Sequence, residues 1–354
     1  MAETHRIGVL TFHRSINYGS YWQARCLLDG LRSRGRDAEL LDHDCGEVRR
    51  AEIRCALQPE LPRRTPPRHL RRYVEKARRL HRAISQLPLS APFPLQDPRQ
   101  AADYEAIVVG SDEVWNFRHP WYGSKPIFFG DGLKTSRLVS YAASFGNHSA
   151  NDGIDSLWAD KLHRFSELSV RDENSLHLIR SGTGRQPALV LDPCLQFPRS
   201  ARFEASGQPY ALVYGHSFPR WYQARMCDWA ERSGHRLLSV GYANAWSDDE
   251  RVEAGPIEFA QLVAAASAVI TNFFHGCVFA ILHGKPWLSC SSDYRSIKVR
   301  DLVSLLHDEA RLVDERVFPA EIAQLLATPV QERVNERIAE LRAHSNTYLD
   351  AALS

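Results

Sequence analysis

Two residues of this chain, a histidine and an arginine, sit in turns where their side chains are well suited to do chemistry. His275 lies in Val269-Ile270-Thr271-Asn272-Phe273-Phe274-His275-Gly276, where a strand-like run passes through a turn into the apolar segment Cys277-Val278-Phe279-Ala280. A helix starting there aims its N–H groups and positive dipole end at the imidazole. That disfavours the imidazolium and suits the ring to act as base or neutral donor, although a histidine that merely caps the helix fits the same pattern. Cys277 invites assignment as a nucleophile, but a thiol between apolar neighbours more often packs. Arg171 follows Ser169-Val170 and precedes Asp172-Glu173. Its planar fork suits bidentate capture of phosphate or carboxylate, and a local pair with Asp172 or Glu173 is the competing reading.

Two further segments add polar groups. In Val109-Gly110-Ser111-Asp112-Glu113-Val114-Trp115-Asn116 a strand exits into carboxylates beside an indole. Ser111, Asp112 and Asn116 are placed to hydrogen-bond a hydroxylated ligand while Trp115 stacks on it; alternatively Asp112 caps the turn and Trp115 fills a core gap. In Asn17-Tyr18-Gly19-Ser20 the glycine permits a tight turn, and the helix that follows offers unpaired N–H groups to an anion. The same strand–glycine–helix turn also serves packing alone.

Elements of an α/β protein are needed to hold these turns. Arg6–Phe12, Ala38–Leu41, Ala106–Gly110, Leu138–Ala143 and Ala188–Asp192 read as buried parallel strands, and Tyr21–Arg34 as a helix stopped at Gly35. After the proline-bearing stretch Phe197–Pro209 a second series begins at Tyr210–Tyr214. It continues with a helix at Trp221–Ser233, a strand at Arg236–Tyr242, a helix at Ile257–Ala266 and a strand at Ala268–Thr271. The expected organisation is an N-terminal Rossmann-like domain over 1–200, a C-terminal one over 205–330, and a closing helix over 331–354 that packs back on the first. This is a glycosyltransferase-B-like arrangement, with ligands in the cleft at the strand ends. An arginine-rich insertion at about 60–85 interrupts the first domain, crowding Arg63 to Arg82 around Pro62, Pro66 and Pro67. It reads as a solvated helix whose Leu70, Tyr73, Ala77 and Leu80 face inward, or else as a clamp for an anionic acceptor.

Bulk composition narrows the classes. The chain has 354 residues, long enough to split into two cores, and its 44 Lys and Arg against 42 Asp and Glu create no field that would draw nucleic acid. No apolar run approaches the roughly 18 residues needed to span a bilayer, so any membrane contact would be peripheral. The start carries no signal-like core and the seven cysteines form no C-x-x-C pair, which points to the cytoplasm. The histidines match no common zinc spacing, so neither a metal nor a cofactor is expected. No coiled-coil heptad declares an oligomer.

In this order the segments resemble the polysaccharide pyruvyltransferase family. The landmarks are I-G-V-L-T-F and N-Y-G-S, V-G-S-D-E-V-W-N, Tyr141-Ala142-Ala143-Ser144-Phe145-Gly146, Ser169-Val170-Arg171-Asp172, Leu191-Asp192-Pro193, Pro256-Ile257-Glu258-Phe259 and Phe274-His275-Gly276. The resemblance implies phosphoenolpyruvate as donor and a saccharide or similar hydroxylated molecule as acceptor, with His275 and Arg171 on the family's F-H-G and S-V-R positions. His275, Arg171 and Asp112 are then the expected catalytic residues. Asn17, Tyr18, Gly19, Ser20, Ser111, Trp115, Asn116, Ser144, Phe145, Asn272, Phe274, Gly276, Arg295 and Lys298 are expected to bind substrate, with Arg300 a further anion-binding candidate. Phe273 and Cys277 depart from the family's usual Ser and Thr, at positions expected to line the site. Two other readings share the architecture: a sugar-nucleotide-dependent glycosyltransferase, and a non-catalytic binding protein.

Overall fold

The computed structural model describes residues 6–199, 208–290 and 296–354. The first half is built on a four-stranded parallel sheet ordered Asp37–Leu40, Arg6–Leu10, Tyr104–Val109, Thr135–Ser140. Its central strands read as continuous apolar runs because both faces are covered: Val9, Leu10, Ile107, Val108 and Val109 are fully buried. The short pair Ser169–Val170 and Ala188–Leu189 extends this half through isolated bridges. The strand expected over Leu138–Ala143 ends at Ser140, and the chain beyond it is bridged only locally, through Ala143 to Asp112 and Val170.

A six-stranded parallel sheet forms the second half, ordered Asp249–Arg251, Arg236–Val240, Tyr210–Tyr214, Ala268–Thr271, Trp287–Cys290, Leu312–Val313. Both sheets share one topological feature. In the first, the chain leaves Arg6–Leu10 for one neighbour and returns on the other side at Tyr104–Val109. In the second it does the same around Tyr210–Tyr214, returning at Ala268–Thr271. At such a switch the connections diverge to opposite faces and open a crevice at the carboxyl ends of the two strands. The turns carrying Asn17–Ser20, Ser111–Asp112 and Asn272–His275 leave from these ends.

Three elements tie the halves together. The helix Tyr18–Ser33 presents Tyr18 and Trp22 to the second half, where Tyr18 stacks on Phe259 at 4.5 Å and the Trp22 indole donates to the Pro256 carbonyl at 2.9 Å. The last helix, Glu332–Ala352, buries Val334, Ile338 and Leu341 in the core shared by the halves. It then places Tyr348, Leu349 and Ala352 against the first sheet, with Tyr348 donating to the Ser140 carbonyl at 2.6 Å.

The arginine-rich segment is the third tie. Its helix, Pro67–Ile84, starts on a proline, as suits a first helical position, and buries Tyr73, Lys76, Ala77, Leu80 and Ile84. Tyr73, Ala77 and Leu80 face inward and Arg68, Arg71, Arg78 and Arg82 are exposed, as expected, but the charged residues between these faces are not fully solvated. Arg72 pairs with Glu253 at 2.6 Å and Glu250 at 3.1 Å, Arg79 pairs with Glu258 at 2.9 Å, and the Tyr73 hydroxyl accepts from the Ala243 N–H at 3.0 Å. The helix therefore straps the first half to the second.

Candidate active site

Between the two switch points lies an open cleft whose lining includes Asn17, Ser20, Asp112, Arg171, Phe274, His275 and Lys298. From the first half comes the helix start at Tyr18, capped by Asn17, whose side chain accepts from the Gly19 N–H at 2.7 Å. From the second comes the helix Phe274–Leu282, which has no side-chain cap and carries His275 in its first turn. The two starts touch. A Cβ added at Gly19 would overlap the His275 imidazole, so the glycine in N-Y-G-S is needed for the close approach of a ring from the other half.

One carboxylate joins the chemistry-bearing side chains. Asp192 caps the short helix Pro193–Gln196, its Oδ1 accepting from the Cys194 N–H at 3.0 Å. Its Oδ2 accepts from Arg171 Nη1 at 2.9 Å and lies 3.5 Å from His275 Nε2. Burial pushes the Asp192 carboxyl up, but the His275 imidazole and the Arg171 guanidinium outweigh it and hold the group well below the usual carboxylate range. Arg171 also donates to Ser111 Oγ at 3.3 Å and to Asp112 Oδ1 at 3.5 Å, and stacks over the Phe274 ring at 4.6 Å. Its counter-charges come from distant segments and not from a local pair with Asp172, which instead caps the helix Glu173–Thr183. The Nε of Arg171 finds no hydrogen-bond partner among the described residues.

Asp112 sits at φ 75°, in the left-handed region where a residue other than glycine is strained unless its surroundings hold it. They do: its carboxylate accepts from Ser20 Oγ at 2.7 Å and from the Glu113 N–H at 2.9 Å. Burial pushes its pKa up; Arg171, His275 and Ser20 together overcome that and lower it. Lys298 reaches in from the second half to pair with Glu113 at 3.0 Å.

Other expected site residues are placed elsewhere. Tyr18 is buried between the halves and donates to the Ala254 carbonyl at 2.6 Å. Trp115 fills an aromatic core with its indole on the Phe128 carbonyl at 2.8 Å, and Phe145 packs beside it. Asn116 bonds Glu113 and Asn147, and the Ser144 hydroxyl accepts from the Gly146 N–H. Asn272 is buried on the His216 carbonyl, and Gly276 leaves room for the Thr271 side chain. Ser111 is buried behind Arg171. Arg295 lies outside the described residues. Of the two departures from the family pattern, Phe273 lines the cleft as expected, whereas Cys277 does not: it lies wholly in the core, and burial pushes its thiol up to about 12.

Several lining residues were not anticipated, among them Glu52, His119, Trp121, His216 and Tyr242, and Lys76 comes from the basic run for which a clamp was one reading. Glu52 accepts from Ser15 Oγ at 2.7 Å, from the Ile16 N–H at 3.1 Å and from the Trp121 indole at 2.8 Å. As for metal, Asp192, Cys194 and His275 bring their ligand atoms within 4.8 Å of one another. A cation does not fit there, because the Arg171 guanidinium already occupies Asp192. The Cys194 thiol, moreover, is pushed well above its ordinary range by burial and by the neighbouring Cys26.

Two parallel Rossmann-like sheets facing one another across a cleft, with both switch points contributing side chains, form a glycosyltransferase-B-like fold. The chain belongs to the polysaccharide pyruvyl transferase family, whose sequence model matches residues 17–294. A search of curated protein sequences finds no match. Among solved structures, a protein described as a UDP-N-acetylglucosamine 2-epimerase of Listeria monocytogenes is 9% identical, with a TM-score of 0.52 over 96% of this chain and 91% of its own. HepE of Anabaena, solved with UDP and glucose, is 11% identical, with a TM-score of 0.47 over 98% of this chain and 100% of its own. A Streptomyces glycosyltransferase solved with thymidine diphosphate is 15% identical, with a TM-score of 0.45 over 97% and 96%.

Proposed function

We propose that this transferase moves a pyruvyl group from phosphoenolpyruvate to two hydroxyls of a saccharide-like acceptor, releasing phosphate. The observation that carries the reading is the convergence of Arg171 and His275, one from each half, on Asp192 at the cleft. These are the positions to which the family's arginine and histidine fall. In the reaction the donor's methylene carbon takes a proton, an acceptor hydroxyl adds to the neighbouring carbon, phosphate leaves, and a second hydroxyl closes the ketal. Of the two hydroxyl protons released, one balances the new methyl group and the other leaves on phosphate.

His275 is the proton-transfer group, its ring seated over Gly19 with Nε2 facing Asp192 at 3.5 Å. Arg171, already rigid, offers its remaining N–H donors to the donor's anionic groups, and the helix start at Asn17–Ser20 adds its dipole as charge develops on the departing phosphate. Asp112 orients Ser20 and Arg171; an ionised carboxylate with its oxygens so engaged is a weak proton acceptor. Calorimetric titration with phosphoenolpyruvate and with UDP-glucose tests the donor. Binding of the first and indifference to the second is expected, and the reverse pattern would replace this reading with a nucleotide-sugar glycosyltransferase.

A further inference from the structure

Arg72, Lys76 and Arg79 are spaced i, i+4, i+7 on the helix Pro67–Ile84, so they share one face, turned to the second half. The outer two meet Glu250, Glu253 and Glu258. Lys76 meets none: among the described residues its ammonium donates only to the Gly241 carbonyl, at 2.8 Å, and lies over the rings of Tyr242 at 4.0 Å and Tyr18 at 4.9 Å. The residue is only 3% exposed, yet it lines the cleft. A buried cation without a carboxylate partner is costly, and burial pushes its pKa down to about 7 against the opposing influence of the nearby Cys55 thiol. The ring faces recover part of that cost and favour the charged form. Beside it Tyr242, His216 and Phe273 pack edge to face or tilted, with centroids 4.9 to 5.4 Å apart, and form an apolar wall of the same cleft. Phe273 is the residue that replaces the family's usual Ser.

We propose that Lys76 and the wall of Tyr242, His216 and Phe273 form an acceptor subsite for a saccharide ring that bears a negative charge, as carboxylate or phosphate. The ring lies on the aromatic wall, and its anionic group supplies the charge that Lys76 lacks. The inference rests on the reading of the cleft as a saccharide site and names the kind of saccharide.

Glucose, glucuronic acid and glucose 1-phosphate, titrated by ligand-observed NMR, test it, with phosphoenolpyruvate titrated in parallel. The wild type is expected to bind at least one charged sugar about tenfold more tightly than glucose, the size of one charge-assisted hydrogen bond. The two charged probes separate a carboxylate from a phosphate preference. Lys76→Met is expected to erase the preference while leaving glucose and phosphoenolpyruvate binding in place; Lys76→Gln, which keeps a donor for the Gly241 carbonyl, serves if the first variant does not fold. A wild type without the preference, or a preference that survives both substitutions, overturns the inference. So does a variant that loses phosphoenolpyruvate alone, which would move Lys76 to the donor. A wild type that ignores phosphoenolpyruvate while the sugar result holds would instead remove the donor reading.

Discussion

The two helix starts that meet across the cleft have the same strand–turn–helix form and opposite uses. The one at Tyr18 is capped by Asn17 and gives up a side chain at Gly19. The one at Phe274 has no side-chain cap and carries His275 into the space that Gly19 leaves. The first is a seat and the second is the working group. The contrast teaches that a glycine in a strand–helix turn need not be there for phosphate, and that here the site exists only when the halves are together.

The largest effect that would break this contrast is expected on the working side. His275→Ala should keep the fold and lose turnover by ~10²–10⁴-fold, measured as phosphate release from phosphoenolpyruvate, with thermal unfolding followed on the same variant. If the imidazole only fills the space over Gly19, the melting temperature falls and turnover of the folded fraction persists.

The seat should be nearly as sensitive. Gly19→Ala puts a methyl group where the imidazole lies, and displacing a reacting group by about 1 Å costs on the order of 10²-fold. In a His275→Ala background the same substitution should cost little more, since the clash is gone; a full additive loss would separate the two turns.

The order of elements and both turns can be read from the sequence because buried parallel strands are written as unbroken apolar runs, such as Ile7–Leu10 and Ala106–Val109. The contacts between the halves cannot be read that way. Gly19 and His275 are far apart in the chain, and nothing local tells a phosphate turn from a packing turn. Asp192 lies in the Leu191-Asp192-Pro193 landmark, yet its bond to Arg171 depends on how the Ser169–Val170 and Ala188–Leu189 strands pair. Lys76 lies in a charge run that reads as a solvated face or as an anion clamp, and its charge does not single it out from its arginine neighbours. Its signal was its position on the apolar stripe of Tyr73, Ala77 and Leu80. Trp115 shows the opposite case, an unusual residue near carboxylates for which the packing alternative is the one the structure shows.

Smaller effects sharpen the comparison. Arg171→Lys should lower kcat/KM for phosphoenolpyruvate about tenfold, the equivalent of one charge-assisted hydrogen bond, because an ammonium cannot hold Asp192, Asp112 and Ser111 at once. An unchanged value would confine Arg171 to ion pairing. Asn17→Ala should cost about 1 kcal/mol of stability through the lost cap and little in chemistry, as expected for a seat.

The pH dependence of stability probes the strap helix. The folded pKa of Lys76, about 7, lies below its ordinary 10.5. The unfolded chain therefore binds more protons between these values, and this group's contribution to stability rises with pH across that window. Lys76→Met should flatten that rise in thermal unfolding measured from pH 7 to 9; an unchanged slope would mean that the ammonium is not desolvated.

A crystal structure with phosphoenolpyruvate bound decides whether the donor sits where the two helix starts meet. An anionic group of the donor is expected beside Arg171 at the Asn17–Ser20 helix start, with its methylene carbon within reach of His275. Donor bound in the cleft but out of contact with both Arg171 and His275 would contradict that placement.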